Sequence, residues 1–537
     1  MPNSPASGRR SGWRYRLVRR FALPIVLGFP GAALAAQAVE HRPAGGLDLG
    51  GAPLPGGEEH WYARNLALLG ATAPDPWRER RAPTDSSRAP RTLAWMVLRP
   101  DLQLILNTDR PWGRNDGVVW AGRGVTVAAQ GGLAGRWGAV RAQIAPVAFW
   151  AQNARFDVLP NGRTGPLAFG DPRFPEAIDL PQRFGDAPYG RVDLGDSELS
   201  ITHRGFIGGV SSARQIWGPA RDYPLVLSTN AGGFPHLFTG TARPLITPLG
   251  AMALRLIAGR IEQSAWSPVQ SGVRGRFTSA LTASLSPRGA PWLTLGGNRE
   301  VQGPWPTAGL TLDRVLRPFQ GVLSDNTGTI NANSENGFVS VFLHATFVPD
   351  GLELYAEMSR EDFANDLRWL VQKPDDLSAI VFGFTKAWAP DGVRLRTIRA
   401  EVVNGELAPH ERLQRGFTVP IPPYTHAKTR QGLTSRGQLL GSPAAYGGAG
   451  WTLEWGDVTP RGRTAVALER LLQLDWQRVA GNAARPQVTY AVRVERLRFG
   501  DRSDLTLSVT PTLTLNANLM PRHDVMGLSA LVRWRGW

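Results

Sequence analysis

The 537-residue chain has no cysteine and only three lysines. Without thiols it can form neither a disulfide nor a thiolate-bound zinc, so a disulfide-stapled domain and most structural zinc folds are excluded. Histidine is scarce, with 8 residues. A His-Glu-x-x-His zinc helix, a nucleophile elbow and a Gly-rich phosphate loop are all missing, so no metal, cofactor or catalytic residue is expected. Past the N-terminus there is no run of about 18 apolar residues, which excludes a membrane protein built from helices. A β-barrel stays allowed, because its strands show only alternation of apolar and polar residues.

What is abundant fits that alternative. Gly 61, Pro 43 and Trp 19 describe many short strands joined by turns. Arg9, Arg10, Arg14, Arg16, Arg19 and Arg20 precede an apolar run from Phe21 to Ala36 that closes on Ala33-Leu34-Ala35. This is the pattern of a secretory signal peptide, residues 1–36. Pro24 and Pro30 interrupt a stretch already too short to span a bilayer. The paired arginines leave the Sec and twin-arginine export routes both open. Removing the six signal arginines lowers the formal net charge from +16 to about +10. The balance stays basic, yet no basic run with interleaved aromatics marks a nucleic-acid groove. An acidic polysaccharide or a lipopolysaccharide phosphate is the expected anionic partner, and arginine-biased codon usage is the alternative source of the charge.

Residues 37–92 are rich in Pro, Gly, Ala and charge, with one expected helix near Glu58 to Gly70 and a loop from Ala73 to Arg91. Residues 93–537 alternate. In Gly351 to Ser359, Leu352, Leu354, Ala356 and Met358 share one face; Glu353, Tyr355, Glu357 and Ser359 share the other, which must meet water or polar partners. Leu513, Leu515, Ala517 and Leu519 read as a further apolar row. The chain ends on a strand with Met526, Leu528, Ala530, Val532 and Trp534 on one face, broken only by Leu531. Trp537 lies out of phase with that row. The fold class expected is therefore all-β: a large closed antiparallel transmembrane barrel, with a small helical or loop element before it.

Three ordered blocks carry a family resemblance. Arg214-Gln215-Ile216-Trp217-Gly218-Pro219 is followed by Leu225 to Asn230 and Pro235; Leu354-Tyr355-Ala356-Glu357 precedes Glu361-Asp362; and Gly432-Leu433-Thr434-Ser435-Arg436-Gly437 leads to Leu440-Gly441. Together they resemble the Wzi family of capsule-assembly proteins. The resemblance implies an outer-membrane barrel of about 18 strands with a helical element on its periplasmic side. It also implies a non-catalytic role in holding capsular or related exopolysaccharide at the cell surface. The chain is expected to be a monomer. A porin-like channel for small anions is the alternative function.

The candidate carbohydrate ligands are Arg214, Trp217, Asp222, Asn230, His236, Tyr355, Glu357, Arg430 and Arg436. Trp217 on the constrained Gly218-Pro219 turn offers a flat face for a sugar ring, and the polar side chains suit hydroxyls and carboxylates. A second reading places Trp217 in an interfacial girdle or turn, and the polar residues in an ion-pair network filling the barrel. Paired acids such as Glu361-Asp362 and Asp375-Asp376, and the pair His523-Asp524, read as turn residues rather than catalytic pairs, because neighbours along a strand point to opposite faces.

Overall fold

The computed structural model of the chain describes residues 43–44, 64–65, 67–69, 93–113, 116–266, 275–320, 335–361, 367–372, 374–375, 377–390, 394–406, 422–426 and 431–536. The signal peptide, Trp61, Leu66, the 73–91 stretch, Asp362, Asp376, Arg430 and Trp537 lie outside the described residues.

Among the described residues, alternation becomes a closed antiparallel barrel. Its first strands are β1 (Ala94–Asn107), β2 (Gly124–Trp137), β3 (Val140–Ile144 and Val147–Ala151), β4 (Tyr189–Asp193 and Glu198–His203), β5 (Phe206–Ser211) and β6 (His236–Thr241 and Leu245–Thr247). Next come β7 (Gly250–Glu262), β8 (Gly275–Pro287), β9 (Leu293–Pro304), β10 (Asn336–Phe347), β11 (Leu352–Glu361) and β12 (Ser378–Trp388). The last are β13 (Leu395–Asn404), β14 (Ala449–Thr459), β15 (Gly462–Gln473), β16 (Gln487–Phe499), β17 (Ser503–Leu515) and β18 (Val525–Gly536). These are 18 strands once each segment pair that shares its neighbours is joined across an irregularity, as β3 is at Ala145 and Pro146. β18 closes on β1, with Trp534 opposite Leu102.

The outer face is apolar. Leu102, Leu104 and Leu106 on β1, Val492 and Val494 on β16, and Leu528, Val532 and Trp534 on β18 are all exposed. Exposed Trp95, Trp137, Trp292 and Trp534 ring one end, and Trp150 and Tyr490 sit near the other. An apolar band between aromatic girdles is the surface of a membrane-spanning barrel. Consecutive strands join by short turns at the tryptophan-rich end. The turn at Arg204-Gly205 has φ of 48° and 88°, the mirror-image geometry that suits the twist of a two-residue hairpin. Connections at the opposite end are long, notably 152–188, 212–235, 305–335 and 405–448. Outer-membrane barrels carry short periplasmic turns and long outer loops, so the short-turn rim is periplasmic. The helical residues before the barrel lie at that rim, where buried Leu68 packs with Ala387, Leu395, Val458 and Leu497.

One expected row stops early. Ala517 and Leu519 are buried in the turn after β17 instead of continuing it. Asn516 and Asn518 adopt φ of 52° and 57°, a left-handed conformation that asparagine tolerates and that ends the strand.

Loop 212–235 and the described residues of the 405–448 connection, 422–426 and 431–448, fold into the lumen and give it a hydrophobic core. Trp217, Tyr223, Leu225 and Leu227 from the first meet Tyr424, Leu433, Leu439 and Leu440 from the second. Both pack on wall residues Phe238, Ile257, Phe338 and Val403.

Candidate functional site

Charged wall residues seat loop 212–235. Glu401 on β13 accepts hydrogen bonds from the backbone N–H groups of Arg221, Asp222 and Tyr223 at 2.8, 3.0 and 2.6 Å. The Tyr355 hydroxyl also donates to Glu401, at 2.5 Å. Arg399 pairs with Asp222 and with Glu454, the latter at 3.1 Å. Gly218 has φ of 87°, and a Cβ there would lie 2.4 Å from Glu357, so only glycine fits this approach. The loop reaches the periplasmic element, where Arg64 donates to the Pro219 carbonyl at 3.0 Å and pairs with Glu353 at 2.8 Å.

Loop 405–448 locks onto the first. Ser228 and Asn230 donate to the carbonyls of Leu440 and Leu439 at 3.0 Å each, and Tyr424 donates to that of Leu225 at 2.7 Å. The Arg436-Gly437 turn of its small ribbon has φ of 51° and 81°. That geometry accounts for the glycine of the third sequence block.

The expected ligands therefore divide. Trp217 is 1% exposed and cannot lie against a sugar in this arrangement. Asp222 and Tyr355 are engaged as described, and Glu357 accepts from Ser340 at 2.6 Å and Asn298 at 3.1 Å. His236 is buried, with Nδ1 donating to the Phe234 carbonyl at 2.7 Å. These five belong to the packing that holds the loops in the lumen. Arg214, Asn230 and Arg436 keep part of their surface. Arg214 pairs with Asp196 at 2.7 Å, and Arg436 pairs with Asp193 at 2.5 Å. Of the acidic pairs set aside in the sequence, Glu361 accepts from Asn336 at 2.7 Å, and Asp524 accepts from the Asn516 N–H at 3.0 Å.

A cluster of side chains not singled out in the sequence is aromatic and lies at the long-loop end. Trp120, Tyr189 and Trp266, each half-buried, surround buried Phe184 with ring centroids 4.6, 4.8 and 4.9 Å from it. They come from three separate connections and the start of β4, and meet only in the folded barrel. Asp179 positions Trp266 by accepting from the Ser264 N–H at 2.6 Å and hydroxyl at 2.5 Å, while burial pushes its carboxyl pKa upward. Arg191 follows Tyr189 on the same face of β4 and shares Asp193 with Arg436. Two partly exposed arginines thus stand beside three partly exposed rings. The available signal was tryptophan within inter-strand segments instead of at strand ends.

A cavity of about 320 Å³ opens between loop 212–235 and the wall formed by β15 to β18 and β1. Trp112, Arg221, Arg399, Arg463, Arg493 and Glu495 are among its lining, as is Leu531, the residue that broke the alternation of β18. Burial and the neighbouring Arg399 lower the Arg221 pKa to about 10, so it stays charged at neutral pH.

Comparison with known proteins places this architecture. No curated protein sequence matches the chain. The structure of Wzi, described as an outer-membrane, carbohydrate-binding β-barrel involved in group 1 capsule assembly in Escherichia coli, superposes with a TM-score of 0.55 at 13% identity. The match covers 94% of this chain and 96% of that one. Acinetobacter baumannii OccAB4 is more distant, with a TM-score of 0.39 at 10% identity over 84% of this chain and 99% of its own. Residues 112–456, which carry both lumenal loops and all three sequence blocks, match the family described as capsule assembly protein Wzi. The chain belongs to the Wzi capsule-assembly family.

Proposed function

We propose that this protein sits in the outer membrane, binds an acidic capsular or related polysaccharide at its outer end, and holds it there without turnover. The filled lumen carries this reading. A channel for small anions requires an open path, whereas loop 212–235 and residues 422–426 and 431–448 build a core inside the barrel. Trp120, Tyr189 and Trp266 supply flat faces for sugar rings, and Arg191 and Arg436 supply cations for carboxylates. The Trp112 cavity receives a side branch or a chain end. Because β18 seals directly on β1, a single chain suffices.

The test is titration of the detergent-solubilised protein with acidic and neutral polysaccharides at two salt concentrations. Acidic polymers are expected to bind more tightly, and more so at low salt. Trp266→Ala removes one stacking face, worth about 1–2 kcal/mol, and weakens binding roughly tenfold. Equal affinity for wild type and Trp266→Ala would remove the aromatic cluster from the site.

A further inference from the structure

The connection after β9 leaves the barrel mouth and lies back over the outer wall. Its helical turn Leu312–Val315 and the following 3-10 turn Arg317–Phe319 pack on β7, β8 and β9. On the outward row of β8, Phe277 and Ser279 are fully buried, as is Val301 opposite Ser279 on β9, whereas Leu281, Ala283 and Leu285 nearer the periplasmic rim are half-buried. The Ser279 hydroxyl donates to the Val315 carbonyl at 2.7 Å. Arg299, an outward-facing charge on β9, donates to the Pro318 carbonyl at 3.0 Å and to that of Gln320. A lone arginine on a lipid-facing wall is costly, and this segment covers it and accepts its hydrogen bonds. The segment in turn exposes Leu312, Leu316 and Phe319, at 72%, 39% and 58%.

We propose that residues 305–320 form an interfacial anchor whose Leu312, Leu316 and Phe319 side chains enter the acyl region of the outer leaflet. Two observations select lipid as the occupant. The apolar side chains continue the belt of Met252, Leu254 and Leu295 on the strands beneath, which already faces acyl chains. Both arginines of the segment are turned to protein, with Arg317 pairing with Glu335 at 3.2 Å and Arg314 lying 5.0 Å over the Phe277 ring, while the exposed Asp313 is paired with Arg317 at 3.4 Å. An apolar face outward and a polar face inward is the arrangement of an interfacial element.

The absence of cysteine makes the test clean. Leu316→Cys and Phe319→Cys proteins, each carrying one environment-sensitive fluorophore, are reconstituted in phosphatidylcholine vesicles with and without brominated acyl chains. Leu254→Cys serves as the lipid-facing reference and Gly289→Cys, in a periplasmic turn, as the aqueous one. Both segment probes are expected to lose most of their emission to brominated lipid, as the Leu254 probe does, and to resist aqueous iodide. Quenching by iodide and not by bromine, as at Gly289, would overturn the proposal. So would bromine quenching that disappears as protein density rises, since a second copy would then occupy the face.

Discussion

The full chain is expected to be electrically silent in a planar lipid bilayer, and excision of residues 214–233 is expected to turn it into a steadily conducting barrel. The deletion is geometrically mild, because Ser211 and His236 already face each other on paired β5 and β6. Ser212, Ala213, Phe234 and Pro235 remain to close the hairpin. It removes Trp217, Tyr223, Leu225, Val226 and Leu227 from the lumenal core and leaves Glu401 without three of its donors. Barrels of 16 to 18 strands are wide enough to hold an aqueous channel, so what remains closed in the wild type is closed by its loops. A deletion protein as silent as the wild type would contradict the assignment of this loop as the seal.

Neutralising Glu454 is expected to have the largest effect of any single substitution in the wall. Its carboxylate, 1% exposed, accepts from Arg399, Arg463 and Arg493 at 3.1, 3.0 and 2.8 Å, and Arg221 lies 3.7 Å away. Glu454→Gln keeps the shape and leaves four clustered cations facing fewer acids. Breaking a buried pair of this kind costs about 3–5 kcal/mol, since the remaining charge stays buried. The pair Arg396 and Asp457, 3.2 Å apart with side chains 36% and 17% exposed, is the control. Arg396→Ala is expected to change stability by about 1 kcal/mol or less. Denaturant midpoints in detergent distinguish the two, and equal shifts would mean that the Glu454 cluster is not what ties the loop to the wall.

The barrel was legible in the sequence because its cause is local. A period of two is imposed by the strand itself, so the lipid-facing row from Met526 to Trp534 and the inward direction of Tyr355 and Glu357 follow from position alone. Gly218 was legible as part of a turn, and it does occupy a left-handed conformation. The candidate site was far less legible. Trp217 read as a sugar platform or as a girdle or turn residue, and it is neither exposed nor at the lipid interface; its burial depends on the lumenal cluster with Tyr424 and Leu227, formed only when the loop enters the lumen. The same holds for Trp120, Tyr189 and Trp266, whose contacts around Phe184 join positions with no shared periodicity. Arg299 illustrates the limit from the other direction, since strand alternation turns it to the lipid face and only the fold back of residues 305–320 supplies its partners.

The role in surface attachment is tested most directly by where the polysaccharide goes. In the organism that carries this protein, cells lacking it and cells complemented with it are compared for polysaccharide that sediments with the cells and polysaccharide released to the medium. A surface anchor without turnover requires that loss of the protein shifts polymer from cells to medium while total polymer and its chain length stay constant, and that the Trp266→Ala protein restores attachment only in part. An unchanged distribution, or a fall in total polymer with none released, would contradict it.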